Sequence, residues 1–434
     1  MTRAVAMMWL ATPLCAQNIA GTWQGTISAF GGHFRQVMHV AKADTGWIAT
    51  IYSIDEAAEG DSSASVALRG SHLTITFRHA SPAPDGGSFD GQLDPQASTI
   101  AGTWTQPDGR YPLIVRRVSP KDAWPIPAHT IRFIAVDTNV KLEVLDWGGS
   151  GHPVVFLSGL GGTAHNFDTY APKFTPQYHV YGITRRGFGA SSAPAPITQN
   201  YTATRLSDDV LAVLDSLHLV KPILVGHSIA GQEMSAIGSR HPDRVAGLVY
   251  LDAGYAYAYY DSTVGDFSLD RNDLEGKLHS LERPIALKDK RAIVRGLLQT
   301  DLPRIERDIR DWLQRMSLVS DSLSVRPDGP NGALGNAFLS GGEKFNHVPV
   351  PVLAFFAIPH DRGPRPAGVD SATFAQLIAA DSASTAAQAN AFAAGIPSAR
   401  VVRLPHANHF VFQSNEAEVM REMNAFMAKV SGAP

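Results

Sequence analysis

The stretch Pro222-Ile223-Leu224-Val225-Gly226-His227-Ser228-Ile229-Ala230-Gly231 decides the fold of the larger part of this chain. A short β-branched strand runs into a small-x-Ser-x-small turn, and a helix follows at once. Such a turn lifts a serine clear of the sheet and leaves the next backbone N–H aimed at a reacting oxygen. A serine hydroxyl is a poor nucleophile until it is held where a base can reach it. Gly226 and Ala230 are small enough to let the turn close, and the helix from Ile229 adds a positive dipole end beneath a developing anion. Ser228 is therefore the first candidate catalytic residue.

Outward from this point, strands alternate with helices. Apolar runs at Val154–Leu157, Val180–Ile183, Ile223–Val225, Leu248–Leu251, Val352–Phe356 and Val401–Leu404 suit strands buried on both faces of a mostly parallel sheet. Leu206, Val210, Leu211, Val213, Leu214 and Leu217 recur at helical spacing, and Val419, Met423, Phe426 and Met427 mark a final helix over 416–429. Ile131–Val136 and Lys141–Leu145 form an opening hairpin. The pattern predicts a doubly wound α/β sheet.

With the elbow placed between a strand and a helix, residues 129–434 resemble the α/β-hydrolase family. Ala230 stands where the family's commonest form has glycine. The resemblance implies several roles. Val154–Gly162 is similar to the family's strand and glycine-rich oxyanion loop, with Ser158 in place of a histidine, so Leu160 and Ile229 N–H groups would form the oxyanion hole. His409, between the last strand and last helix, matches the catalytic histidine, with His406 as the alternative. The acid is Asp361, in the loop after Val352–Phe356 and one residue later than the usual spacing. Asp252, after Leu248–Leu251, is the alternative acid, and it reads equally as a carboxylate capping a strand-end turn. Arg186, in a loop similar to the family's Asp-x-Arg-Gly-x-Gly-x-Ser, reads as structural, bonding loop carbonyls. Residues 129–253 and 350–434 form the core. Residues 254–349 form a helical cap whose helix bearing Leu302, Ile305, Ile309, Trp312, Leu313 and Met316 turns an apolar face inward. Tyr255 and Tyr257, at the start of that segment, are candidates to line a substrate pocket, and hinge packing explains them equally well. Relatives with an aspartate nucleophile, the dehalogenases and epoxide hydrolases, need an acid where Ser228 stands. The resemblance thus implies a serine hydrolase of the carboxylesterase type acting on a small-molecule ester, with no cofactor and no metal. Lactone, amide or carbon–carbon bond hydrolysis is the alternative, as is a non-catalytic binding protein.

The first part of the chain has a different period. Between residues 17 and 120, short alternating runs at 21–30, 34–41, 47–54, 72–78 and 111–118 are separated by turn clusters such as Asp85-Gly86-Gly87. They predict a small all-β barrel or sandwich, loosely resembling lipocalin-like domains. Ile19-Ala20-Gly21-Thr22-Trp23 recurs as Ile100-Ala101-Gly102-Thr103-Trp104, which suggests equivalent strands near the two ends of one sheet. His33, His39, His72 and His79 lack metal-ligand spacing. Residues 121–128, with Pro125 and Pro127, read as a linker. Residues 1–16, a short basic start followed by an apolar run to Ala16, read as a signal peptide, which predicts a periplasmic or secreted protein.

Composition agrees. The 434 residues are 44% hydrophobic and 18% charged, enough apolar material for a large core. Lys plus Arg number 37 and Asp plus Glu 40, a net charge of −3, which argues against a nucleic-acid partner. One cysteine, Cys15, excludes a disulfide framework and a cysteine zinc site. After the N-terminus no apolar run approaches the roughly 18 residues of a membrane span.

Overall fold

The computed structural model describes residues 18–29, 32–54, 61–78, 87–106, 109–119, 121–124, 129–317, 332–363, 365 and 369–432. The signal-like segment, His79 and linker residues 125–128 lie outside these. The chain divides into two compact units, the first made mostly of residues up to 125 and the second mostly of residues from 126 on.

The first unit is a closed antiparallel barrel: β1 (Gly21–Ala29), β2 (Gly32–Ala43), β3 (Gly46–Ser53), β4 (Asp61–Arg69), β5 (His72–Arg78), β6 (Ser88–Leu93), β7 (Thr99–Gln106) and β8 (Gly109–Val118), paired in chain order. Period-2 alternation builds it: Leu73, Ile75 and Phe77 of β5, Phe89 and Leu93 of β6 and Leu113 and Val115 of β8 are buried, while Ile114 between the last two is exposed. The repeated motif falls in β1 and β7, which both flank β8. Closure leaves the sheet without ends, so the repeat marks two neighbours of one strand. Trp23 is fully buried, donates to Ile19 O at 3.0 Å and carries the Arg117 guanidinium 4.5 Å from its ring. Trp23→Ala should destabilise this barrel by about 3–5 kcal/mol, the usual result of emptying an aromatic core site. Urea unfolding followed by far-UV circular dichroism measures the change. His39 bonds Thr22 and His72 bonds Asp90, each at 3.0 Å at the surface.

The second unit holds an eight-stranded sheet of β9 (Thr130–Asp137), β10 (Val140–Gly148), β11 (His152–Leu157), β12 (Tyr178–Ile183), β13 (Ile223–His227), β14 (Gly247–Leu251), β15 (Val352–Ala357) and β16 (Ala399–Leu404), in the order β16-β15-β14-β13-β11-β12-β10-β9. The β9–β10 hairpin is antiparallel and β10 meets β12 antiparallel; β12, β11 and β13 to β16 pair in parallel. β13, β14 and β15 are buried along their whole length, as their unbroken apolar runs require. Helix α1 (Ala203–Ser216) starts on a Thr202 cap, and α2 (Ala230–Arg240) leaves the β13 turn. The order matters for function. β12 lies on one side of β11 and β13 on the other, so the chain reverses its winding at β11, and ligands of open α/β sheets bind at such a reversal, outside the carboxyl ends of the strands.

Between β14 and β15 lie α3 (Phe267–Glu282), α4 (Leu287–Gly296), a π-helical turn, α5 (Leu302–Met316) and α6 (Gly332–Ser340). The amphipathic α5 forms as the sequence predicts. Its apolar face does not turn inward: among the described residues, Leu302, Ile309, Trp312, Leu313 and Met316 are exposed. Ion pairs occupy the packed side, where Arg304 and Lys344 both reach Asp270, at 3.3 and 2.8 Å. After β15 come α7 (Ser371–Gly395), then β16, α8 (Val411–Ser414) and α9 (Glu416–Ser431). No helix of the described residues is long and apolar enough to cross a membrane.

Candidate active site

Strand register gathers the site. β11 and β13 are adjacent, with Leu157 opposite Gly226, so the loops that follow them lie side by side. Ser228 adopts φ +54°, the strained left-handed conformation, and is half-buried. A Cβ on Gly226 would lie 2.6 Å from Met234 Cε, and one on Gly231 would lie 2.1 Å from Ala253 O. Backbone stands in the way at Gly231, so glycine is required there, while at Gly226 the Met234 side chain would have to move; the Cβ of Ala230 fits, fully buried. Gly159 passes so close that a Cβ there would fall 2.9 Å from His227 Nδ1 and 3.1 Å from Ser228 Cβ.

The loop after β11 is fixed by a residue that the sequence did not single out. Arg185 donates to Ser158 O at 2.8 Å and Gly159 O at 3.2 Å, and it is paired with buried Glu233. These carbonyls turn towards the guanidinium. Among the described residues neither Leu160 N nor Ile229 N has a hydrogen-bond partner within the protein. Arg186 instead binds both oxygens of Asp209, at 2.6 and 2.5 Å, and Asn200 O at 3.3 Å.

Asp252 leaves β14 at φ +47° and is fully buried. Its Oδ2 accepts from His409 Nδ1 at 2.7 Å and His360 Nε2 at 2.9 Å; its Oδ1 accepts from Tyr255 Oη at 2.9 Å and Ala357 N at 3.0 Å. Burial pushes this carboxyl up, but the hydrogen bonds and charges of His360 and His409 outweigh it and hold the pKa well below the usual carboxylate range. With Nδ1–H committed to Asp252, the Nε2 of His409 is left as the basic nitrogen. His227 packs its ring 4.5 Å from that of His409 and donates from Nε2 to His409 O at 3.0 Å. Burial pushes His227 down to about 3, with the charge of His409 acting the same way, so it stays neutral.

Of the two candidate acids, Asp252 rather than Asp361 is the one brought to His409. Asp361 is exposed, and its carboxylate accepts from Gly363 N at 2.8 Å. His360 occupies the inward position instead. Its Nδ1 meets Asp381 Oδ2 at 2.8 Å while its Nε2 meets Asp252, so one imidazole bridges two carboxylates. His406 is exposed. Of the two tyrosines, Tyr257 has its pKa raised well above the ordinary value, chiefly by burial and by the charge of Asp252, with Ser228 beside it acting the other way. Tyr255 supports Asp252 and also lies 3.1 Å from His360 Nε2. His360 and Asp381 were not read from the sequence. The only signal was a histidine standing where the acid was expected.

The bridge has a pH consequence. Burial pushes His360 down, but bonds to Asp252 and Asp381 raise it from 6.5 to about 9. A group raised on folding stabilises fully below its unfolded pKa and loses that contribution as pH climbs through its folded pKa. The melting temperature should therefore decline between about pH 6.5 and 9. His360→Gln should remove that part of the decline, and thermal scans across this window test it.

Two groups gather three metal-type donors within 4.8 Å of one another: Asp252, His360 and His409, and His129, His165 and Asp168. In the first, every donor facing its neighbours is already hydrogen-bonded.

The alpha/beta hydrolase family matches residues 154–422, well over half of the sequence, and the chain belongs to that family. Among individual relatives it is similar to epoxide hydrolase A of Mycobacterium tuberculosis, 34% identical over 119 residues (27% of this chain, 37% of the relative). It is also similar to the sn-1-specific diacylglycerol lipase ABHD11 of Xenopus tropicalis, 25% identical over 202 residues (44% of this chain, 62% of the relative). The match spans only about two fifths of the first curated relatives, 41% and 38% of their length. Among solved structures, a thermophilic esterase from Thermogutta terrifontis aligns with a TM-score of 0.43 at 15% identity, covering 70% of this chain and 99% of the other.

Proposed function

We propose that this protein is a serine hydrolase that cleaves carboxylic esters through an acyl-enzyme. The observation that carries the reading is the bond from His409 Nδ1 to buried Asp252, beside an elbow that holds Ser228 in a left-handed turn. His409 Nε2 takes the Ser228 proton as Oγ attacks the ester carbonyl. The amides of Leu160 and Ile229 hold the oxyanion, and collapse of the intermediate expels the alcohol, which takes its proton from His409. Water, deprotonated by His409, then releases the acid. Asp252 fixes the tautomer of His409 and stabilises the imidazolium. Tyr257, beside Ser228, faces the substrate. Residues 254–349 cap the site, the N-terminal barrel is lipocalin-like, and the enzyme acts outside the cytoplasm, as residues 1–16 suggest.

Relatives bearing dehalogenase and epoxide hydrolase names carry out other displacements, but a serine at the elbow favours acyl transfer. Esters lead over amides because expulsion of an amine demands more acid assistance than expulsion of an alcohol. The test is a substrate panel of p-nitrophenyl esters, lactones and anilides, with fluorophosphonate labelling followed by peptide mapping. The expected result is ester turnover with the label on Ser228. Turnover with no label at Ser228 overturns the reading.

A further inference from the structure

We propose that His129, His165 and Asp168 form a binding site for one divalent transition-metal ion of the zinc type, separate from the Ser228–His409–Asp252 group. His129 precedes β9, while His165 and Asp168 belong to the short helical turn Ala164–Phe167 and its C-cap, directly after the Ser158–Gly162 loop. One donor atom from each of the three lies within 4.8 Å of the others.

Two features distinguish this cluster from an ordinary buried network. First, the His129 side chain is only 6% exposed, yet its Nδ1 has no hydrogen-bond partner. It points at Asp168 Oδ1 from 3.1 Å without hydrogen-bond alignment. A buried polar atom without a partner is costly and calls for an explanation. Second, the supporting groups are those that a metal-binding histidine needs. His165 turns Nδ1 to Asp168 Oδ2 at 2.8 Å and Nε2 to Glu143 Oε1 at 3.4 Å. Thr184 Oγ1 donates to Glu143 Oε2 at 2.7 Å, and Trp147 Nε1 donates to Asp168 Oδ1 at 2.7 Å. A carboxylate on the far nitrogen fixes the tautomer and orientation of a ligating imidazole, and a hydrogen bond orients the ligating carboxylate.

The donor set selects the ion. Two imidazole nitrogens and one carboxylate oxygen suit zinc, at about 2.0–2.2 Å each, with water as a fourth ligand; magnesium and calcium prefer oxygen. Among the described residues no lysine or arginine is paired with Glu143 or Asp168, so imidazoles are the only ionisable groups of opposite charge beside these two buried carboxylates. A bound cation would displace the proton of His165 and take its place between the two carboxylates. It would also tie the chain before β9 to the turn that carries the Ser158–Gly162 loop, so its role is structural.

The experiment uses the full-length untagged protein. The chain is incubated with zinc sulfate, desalted and analysed by elemental mass spectrometry, then melted with and without a chelator. The expected result is about one zinc per chain, and a melting temperature several degrees lower after chelation. Cobalt substitution should give the visible d–d absorption of a four-coordinate site. His129→Ala should abolish stoichiometric retention, and Glu143→Gln, which removes no ligand, should weaken affinity by about 10–100-fold. Protein that retains no zinc and melts identically with and without chelator overturns the proposal. So does zinc retained equally by wild type and His129→Ala.

Discussion

Asp252→Asn should lower kcat for a p-nitrophenyl ester by about 10⁴-fold, whereas Asp361→Asn should leave it within a factor of two or three. The magnitude follows from the tautomer argument. An amide in place of the carboxylate can present its NH₂ to His409 Nδ1, which makes Nδ1 the acceptor and puts the ring proton on Nε2, the nitrogen that must act as base; the same exchange in serine proteases costs about that factor. The substitution keeps the side-chain size, and the Ala357 N–H and Tyr255 hydroxyl can still find the amide oxygen. Circular dichroism should therefore show a folded protein. Asp361 reaches no histidine; its carboxylate organises a turn through Gly363 N. Steady-state kinetics on the two variants separates the assignments. A large loss in Asp361→Asn with a small one in Asp252→Asn would reverse them.

Why the sequence pointed first to Asp361 rather than to Asp252, which bonds His409, is a matter of three-dimensional register. The elbow was legible because its requirements are local: a strand, small residues at 226 and 230, and a helix start. The sheet was legible because β13, β14 and β15 are continuous apolar runs. The acid is not a local feature. β14 and β15 are neighbours, with Leu251 opposite Phe355, so an acid on either strand end could approach His409. What decides between them is that the Asp252 backbone N–H bonds Phe355 O at 3.0 Å and its side chain turns under Ala357 N, while the β15 loop turns His360 inward and Asp361 out. No spacing rule encodes that orientation.

Other gaps have equally physical causes. Helix α7 was missed because its alanine-rich sequence, Ser371–Gly395, shows little amphipathic period to read. Strand β4 was missed because Asp61-Ser62-Ser63-Ala64-Ser65 begins it without the apolar alternation that marks a half-buried strand. The exposed face of α5 was read as inward because an apolar stripe fixes only which residues share a side. The ion pairs of Asp270 with Arg304 and Lys344 decide which side packs.

Ser228→Ala should abolish ester turnover, by about 10⁶-fold in kcat, with fluorophosphonate labelling lost at the same time. The variant isolates chemistry from folding. Alanine and serine both carry a Cβ, so the penalty for φ +54° is the same in each and the elbow keeps its shape. The substitution removes one half-buried oxygen, which costs at most about 1 kcal/mol of stability. The melting temperature should therefore move little while activity disappears. The residual rate is informative too. With Leu160, Ile229 and His409 intact, water delivered by the imidazole can still attack a bound ester, and a rate about 10³–10⁴-fold above the uncatalysed reaction should survive. If that residual falls with Gly159→Ala added, the loop against the elbow contributes to oxyanion binding as its closeness to Ser228 implies. If instead Ser228→Ala turns over esters at the wild-type rate, the nucleophile is not Ser228, and the acyl-enzyme mechanism fails with it.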